Sequence, residues 1–252
     1  MADIHPQARP FLLSGNNDTA VLFIHGFTAS PTEVYPTALL LHEMNGCTIN
    51  GLLLPGHGSN PEDMNRSSWE DWYKAVENAI RSLQKDNQKV WAAGLSMGGL
   101  LAIHVAVKCP GLSGVISINA PVFIKAPLFK WLAPFLQIFK PYLPKNNMAL
   151  IRQLQEQGRF AFDCTPVQAF RSMMKLRDTV VGEIDGLTVP LLVMQSGQDE
   201  SVKPTSARYL AQNACKAKTR IVDLPGSRHV ATMGPEKQLI AWEIAAFMND
   251  QN

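Results

Sequence analysis

The sequence predicts an α/β domain with a mostly parallel central sheet, helices on its faces and a small helical cap insertion. Short apolar runs bounded by Gly or Pro alternate with longer amphipathic segments, the rhythm of parallel strands joined by crossover helices. A single stretch beginning near the midpoint breaks that rhythm, as an insertion would. The chain has 252 residues, 46% apolar and 17% charged, which suits one domain with a large core rather than a disordered polymer.

In chain order, strands are expected at 20–24, 49–54, 90–94, 115–119, 191–195 and 220–224, each an apolar run closed by turn residues. Helices are expected between them at 32–44, 68–85, 97–108 and 204–212, and after the last strand at 235–248. In that final segment Leu239, Ile240, Ile244 and Phe247 recur at helical spacing. From Pro121 to about Leu187 no convincing strand is legible, and Pro127, Pro134, Pro141 and Pro144 would interrupt any long helix. Residues 122–186 are therefore read as a cap of short helices inserted in a core made of 1–121 and 187–252. Phe123, Phe129, Trp131, Phe135, Phe139 and Tyr142 interleave there with Lys125, Lys130, Lys140 and Lys145. A segment lying on a membrane surface has that composition too, but its place between two strands favours a cap over the strand ends.

Charge and cysteine usage narrow the classes. A formal net charge of +2 without a dense Lys/Arg run lacks the footprint of a nucleic-acid binder. Cys47, Cys109, Cys164 and Cys215 form no C-x-x-C pair, so no metal or redox site is expected. The N-terminus lacks a basic start followed by an apolar segment, and no run reaches the roughly 18 apolar residues of a membrane span. The expectation is a soluble cytoplasmic protein without a stable membrane span.

Gly94-Leu95-Ser96-Met97-Gly98-Gly99 carries the chemistry. It follows a strand and opens a helix, the context that a G-x-S-x-G nucleophile elbow requires. A serine hydroxyl is a weak nucleophile, so it needs a base within hydrogen-bond reach and a third group to orient that base. Asp199, in Gly197-Gln198-Asp199-Glu200, and His229, in Ser227-Arg228-His229, each follow a later strand and so fall on the same sheet edge as Ser96. The order Ser, Asp, His is that of an α/β hydrolase. Glu200, Asp185 and Asp223 compete with Asp199, which is favoured because it lies just past its strand end. His5, His25, His42, His57 and His104 have plainer readings as terminal, turn or helix residues. The oxygen that turns negative on attack needs backbone donors, and these are expected from Met97 and from Phe27 in His25-Gly26-Phe27-Thr28. Gly26, Phe27, His57, Phe123 and Val230 are the candidate substrate contacts.

Together with Leu54-Pro55-Gly56-His57-Gly58, Asn119-Ala120-Pro121 and Ser227-Arg228-His229-Val230, these motifs resemble the bacterial carboxylesterases related to monoacylglycerol lipases. The resemblance spans nearly the whole chain and is weakest in the inserted segment. It implies the α/β-hydrolase fold and a cofactor-free, metal-free esterase whose partner is a small-molecule ester with a short to medium acyl group. Its triad would be Ser96, Asp199 and His229, with Phe27 and Met97 as oxyanion donors. A monoacylglycerol lipase, a hydrolase or acyltransferase working on a non-ester bond, and a non-catalytic binding module are the alternatives. The last would ordinarily have lost a triad member.

Overall fold

The computed structural model describes residues 3–125, 140–145 and 148–251. Seven strands form the main sheet: β1 (Phe11–Leu13), β2 (Thr19–Ile24), β3 (Thr48–Leu52), β4 (Lys89–Leu95), β5 (Gly114–Ile118), β8 (Leu191–Ser196) and β9 (Thr219–Leu224). They lie in the order β1-β3-β2-β4-β5-β8-β9, with every pair parallel except β1 and β3. The mostly parallel sheet is thus as expected. The antiparallel edge strand β1 is an addition, too short and too exposed to leave a periodic signal: Leu12 is 61% exposed.

Strand residues alternate between two apolar layers, as the period of two in a strand dictates. Ala20, Leu22 and Ile24 of β2 face one cluster, and Val21 and Phe23 face the other. On the second face lie α1 (Tyr35–Asn45) and the C-terminal helix α8 (Lys237–Asn249), which bury Ala38, Leu41, Ile240, Ile244 and Phe247. Leu239, grouped with the last three on helical spacing, is 39% exposed. On the first face lie α3 (Trp69–Asp86), α4 (Met97–Lys108) and α7 (Thr205–Asn213). α3 starts at a reciprocal capping box between Ser68 and Asp71 and buries Trp72, Val76, Ile80 and Leu83 along one stripe. The short α2 (Pro61–Arg66), capped by Asn60, precedes it.

Between β5 and β8 the chain differs from the expected run of short helices. Strands β6 (Tyr142–Pro144) and β7 (Cys164–Pro166) pair antiparallel, and α5 (Met148–Glu156) lies between them. Three-residue strands carrying proline leave no readable alternation. The next helix, α6 (Val167–Glu183), falls inside the span read as a cap, yet it packs on α3 and α4. Its Ala169, Met173, Met174, Leu176 and Val180 join the same buried cluster as those helices. Half of the aromatic and lysine pattern, Phe129, Lys130, Trp131, Phe135 and Phe139, lies outside the described residues. No helix among the described residues is long and apolar enough to cross a membrane.

The packing of α6 is testable by truncation. Leu176→Ala should lower the unfolding free energy by about 2–5 kcal/mol in a urea titration, whereas Trp242→Ala, at a residue 55% exposed, should change it far less. A Leu176→Ala protein as stable as the parent would remove α6 from the cooperative core.

Candidate active site

Ser96 sits where β4 passes directly into α4, with φ 57° and ψ −119°. Positive φ is uncommon for a residue with a Cβ, and here the neighbouring glycines make room for it. A Cβ on Gly94 would lie 2.1 Å from the carbonyl of Gly98, and one on Gly98 would lie 2.1 Å from the carbonyl oxygen of Ile24. Strand, turn and helix therefore touch backbone to backbone. Among the described residues, the only other non-glycine positions with positive φ are Thr28 and Asn119, both on loops beside Ser96.

Two loops from later strands meet this turn. The Ser96 hydroxyl lies 3.0 Å from Nε2 of His229, and Nδ1 of His229 lies 2.8 Å from Oδ2 of Asp199. Oδ1 of Asp199 accepts the N–H groups of Ser201 and Val202, each at 2.8 Å, so both carboxylate oxygens are held. Glu200, the nearest sequence competitor, is exposed and accepts the backbone N–H of His229 instead of touching the ring. Asp185 and Asp223 are exposed elsewhere. Burial disfavours the Asp199 carboxylate, but the His229 hydrogen bond and charge and the two N–H donors outweigh it and hold the carboxyl below its ordinary range. Burial likewise disfavours a charged His229, yet Asp199, with Glu200 and Glu33 assisting, lifts the imidazole above its ordinary value.

Asn119 binds these loops to the sheet. Its amide nitrogen donates to Ser196 Oγ and to the carbonyl of His229, both at 2.8 Å, while its oxygen accepts from Ser196 N and Gln195 Nε2. Every polar position of a fully buried amide is thereby used.

The loop after β2 approaches from the other side. A Cβ on Gly26 would lie 2.8 Å from Glu33 Oε1 and 3.3 Å from the Ser96 Cβ, so a side chain there would crowd both. The N–H of Met97 is the first of α4 and has no acceptor within the helix. Neither it nor the Phe27 N–H donates to any described residue. The Phe27 ring packs edge-on against Trp72 and Phe170. His25 is neutral and fixed as one tautomer: Nε2 accepts the Leu54 N–H, so Nδ1 carries the proton and donates to the Gly26 carbonyl. Burial pushes its pKa down to about 4.

The remaining expected substrate contacts scatter. His57 is 1% exposed, packed between His25 and Trp72, and burial depresses its pKa well below the usual value. The Phe123 ring is engaged by Tyr209 and Arg177 on the core side. Val230 does border open space. It lines a cleft of about 680 Å³ between α5 and the acid and base loops, with Leu150, Gln153, Leu154, Gln198 and Arg228. Ser96 is not part of that lining.

Sequence reasoning missed Glu33, Lys145 and Arg159. Glu33 is 1% exposed and accepts the Gly26 N–H at 2.5 Å on Oε1, while Oε2 accepts Nε and Nη2 of Arg159 at 3.0 and 2.8 Å. Lys145 donates to Thr28 Oγ1 and to the Phe162 carbonyl, and burial pulls its pKa down to about 8. Glu33 stands in the first turn of a Pro-led helix, where an acid ordinarily faces water, and its partner is 126 residues away. No local signal could have joined them. Among the described residues no cluster of His, Cys, Asp or Glu could hold a metal ion.

Comparison with known proteins identifies the family. Residues 15–236 match the model of the family described as serine aminopeptidase, S33. The chain belongs to that family of α/β hydrolases. This S33-family chain is 30% identical over 235 residues to a thermostable monoacylglycerol lipase of Bacillus sp. (strain H-257), covering 92% of this chain and 91% of the relative. It is 25% identical to a carboxylesterase of Bacillus subtilis (strain 168), with 95% and 96% covered. A solved structure from work on LipS and LipT, two metagenome-derived lipolytic enzymes, superposes with a TM-score of 0.88 at 26% identity, over 98% of this chain and 100% of the other. The monoacylglycerol lipase of Paleococcus ferrophilus shares the fold, with a TM-score of 0.81 at 18% identity over 97% and 99% of the two chains.

The elbow packing predicts an order of tolerance. Gly98→Ala drives a methyl into backbone and should cost about 1–3 kcal/mol or more, with loss of fluorophosphonate labelling. Gly99→Ala meets chiefly the Ser117 hydroxyl at 2.8 Å, which can turn aside, and should cost less. Equal thermal unfolding midpoints for the two variants would contradict this account of the turn.

Proposed function

We propose that this α/β hydrolase of the esterase and lipase type is a carboxylesterase acting on short- to medium-chain acyl esters through an acyl-enzyme on Ser96. The observation that carries the reading is the continuous hydrogen-bonded path from Asp199 through His229 to the Ser96 hydroxyl. Neutral His229 takes the Ser96 proton as Oγ attacks the carbonyl carbon, and the carbonyl electrons move onto oxygen. The oxyanion is met by the N–H groups of Phe27 and Met97. Removing one such donor typically costs about 2.7–4 kcal/mol of transition-state stabilisation. Collapse expels the alcohol, which takes the proton from His229 Nε2. Water then attacks the acyl-enzyme with the same imidazole as base and releases the acid. Asp199 stays ionised throughout, fixing the ring tautomer and stabilising the imidazolium.

A second reading, hydrolysis of monoacylglycerols, is favoured by the cleft beside the base. Leu150, Leu154 and Val230 offer apolar wall, and Gln153, Gln198 and Arg228 offer polar groups to a hydroxylated alcohol. The relative named as a monoacylglycerol lipase points the same way. In both readings the part of the insertion standing outside the core layer serves as the cap and limits substrate size.

Fluorophosphonate labelling that disappears in Ser96→Ala, together with loss of ester hydrolysis in that variant, is the expected result. Matched acyl esters, monoacylglycerols, amides and diketones of graded chain length then assign the bond, and faster turnover of an amide or diketone would displace the carboxylesterase reading.

Because His229 must be neutral to accept a proton and its pKa is lifted from 6.5, kcat/KM should fall as pH drops through a midpoint above that value. The loss follows protonation, so activity is full on the alkaline side. An acid limb centred near pH 5 would contradict His229 as base.

A further inference from the structure

The loop that follows β2 is held from outside the sheet. Gly26 N–H donates to Glu33 Oε1, and Arg159 grips the other carboxylate oxygen through two nitrogens. Arg159 belongs to the insertion between β5 and β8, and its neighbours continue the contact. Ser30 Oγ donates to the Phe160 carbonyl, Phe160 N–H donates to Thr32 Oγ1, and Phe162 N–H donates to the Thr28 carbonyl. Lys145 adds its bond to Thr28 Oγ1. From the opposite side, Thr232, three residues past the base, donates its hydroxyl to the Glu33 carbonyl at 2.5 Å. Glu33 is therefore the point at which the Gly26 loop, the insertion and the base loop join.

We propose that Glu33 and Arg159 are positioning residues for the oxyanion hole: their buried ion pair sets the direction of the Gly26–Phe27 peptide and makes it depend on the seating of residues 159–162. The proposal rests on the assignment of Phe27 N–H as an oxyanion donor. Glu33 holds the Gly26 N–H, in the peptide before Gly26, and His25 holds the Gly26 carbonyl, in the Gly26–Phe27 peptide, so the backbone on both sides of Gly26 has little freedom left to rotate. The N–H of the next residue is thereby aimed before substrate arrives. Such preorganisation acts on the developing charge more than on the ground-state carbonyl, so its loss falls on kcat rather than on KM. The arrangement also ties catalysis to the insertion. A seat that opens releases Arg159 and leaves the carboxylate on Gly26 without its counter-ion.

The test uses the full chain and four variants: Glu33→Ala, Glu33→Gln, Arg159→Met and the pair Glu33→Gln with Arg159→Met. Hydrolysis of p-nitrophenyl butyrate gives kcat and KM, and the rate constant for fluorophosphonate labelling of Ser96 gives a second measure that needs no ester substrate. Circular dichroism establishes that each variant is folded. Glu33→Ala and Arg159→Met should lower kcat and the labelling rate about tenfold or more at nearly constant KM, short of the 10²–10³ typical of deleting a donor outright. Glu33→Gln keeps an oxygen for Gly26 N–H and should fall less. The paired variant, which keeps that oxygen and strands no charge, should return to within about threefold of the parent. Folded single variants with unchanged kcat and labelling rate would overturn the proposal, as would a paired variant no better than Arg159→Met. If the parent labels normally but cleaves no ester, the carboxylesterase reading fails while the labelling rates still decide this one.

Discussion

The structure turns on how closely β4, the Ser96 turn and α4 are pressed together. A strand that becomes a helix with no intervening loop forces its junction residue into positive φ, at a cost typically of order 1–3 kcal/mol. That conformation survives because Gly94, Gly98 and Ile24 meet through backbone atoms, where a methyl group would overlap them. The same crowding supplies function. It lifts the hydroxyl clear of the sheet edge and presents the first N–H of α4 beside it, so the proposed nucleophile and one proposed oxyanion donor come from one turn. Buried residues along almost the whole of α4 hold the helix in place.

Everything else at the site comes to Ser96 over the carboxyl ends of parallel strands. Parallel pairing sends the ends of β2, β4, β5 and β8 to one rim, so residues 25, 96, 119 and 199 become neighbours despite their distance in sequence. Electrostatics then divide the labour. Asp199, gripped by two N–H groups and an imidazole, is stabilised as an anion, and that anion makes His229 a stronger base. His25 and His57 lack such a partner and stay neutral in the core, where they brace loops.

The elements that could be read from the sequence are those whose causes are local. The six parallel strands carry apolar runs ending at Gly or Pro, and the helix 97–108 begins and ends where the pattern indicates. Ser96, Asp199 and His229 were legible because each sits at a strand end in a fixed chain order. Features built from distant pairs were not. β1 exists only because β3 lies beside it, β6 and β7 are too short to show a period, and α6 reads as insertion until its packing on α3 and α4 is seen. Glu33 and Arg159 look like ordinary surface charges, since a residue shows no sign of burial until its partner is known. His57 and Phe123 illustrate the converse. His57 lies near the strand ends but is buried against Trp72, and the half-buried Phe123 packs edge-on against Tyr209.

Asn119 carries one more implication. Its amide is bonded at once to the end of β8, which leads into the Asp199 loop, and to the carbonyl of His229. Two loops anchored at a single rigid point are displaced together when the scaffold breathes. The separation of Asp199 from His229 is thus better preserved than the location of either group, which favours the proposed proton relay over one built on independently tethered loops.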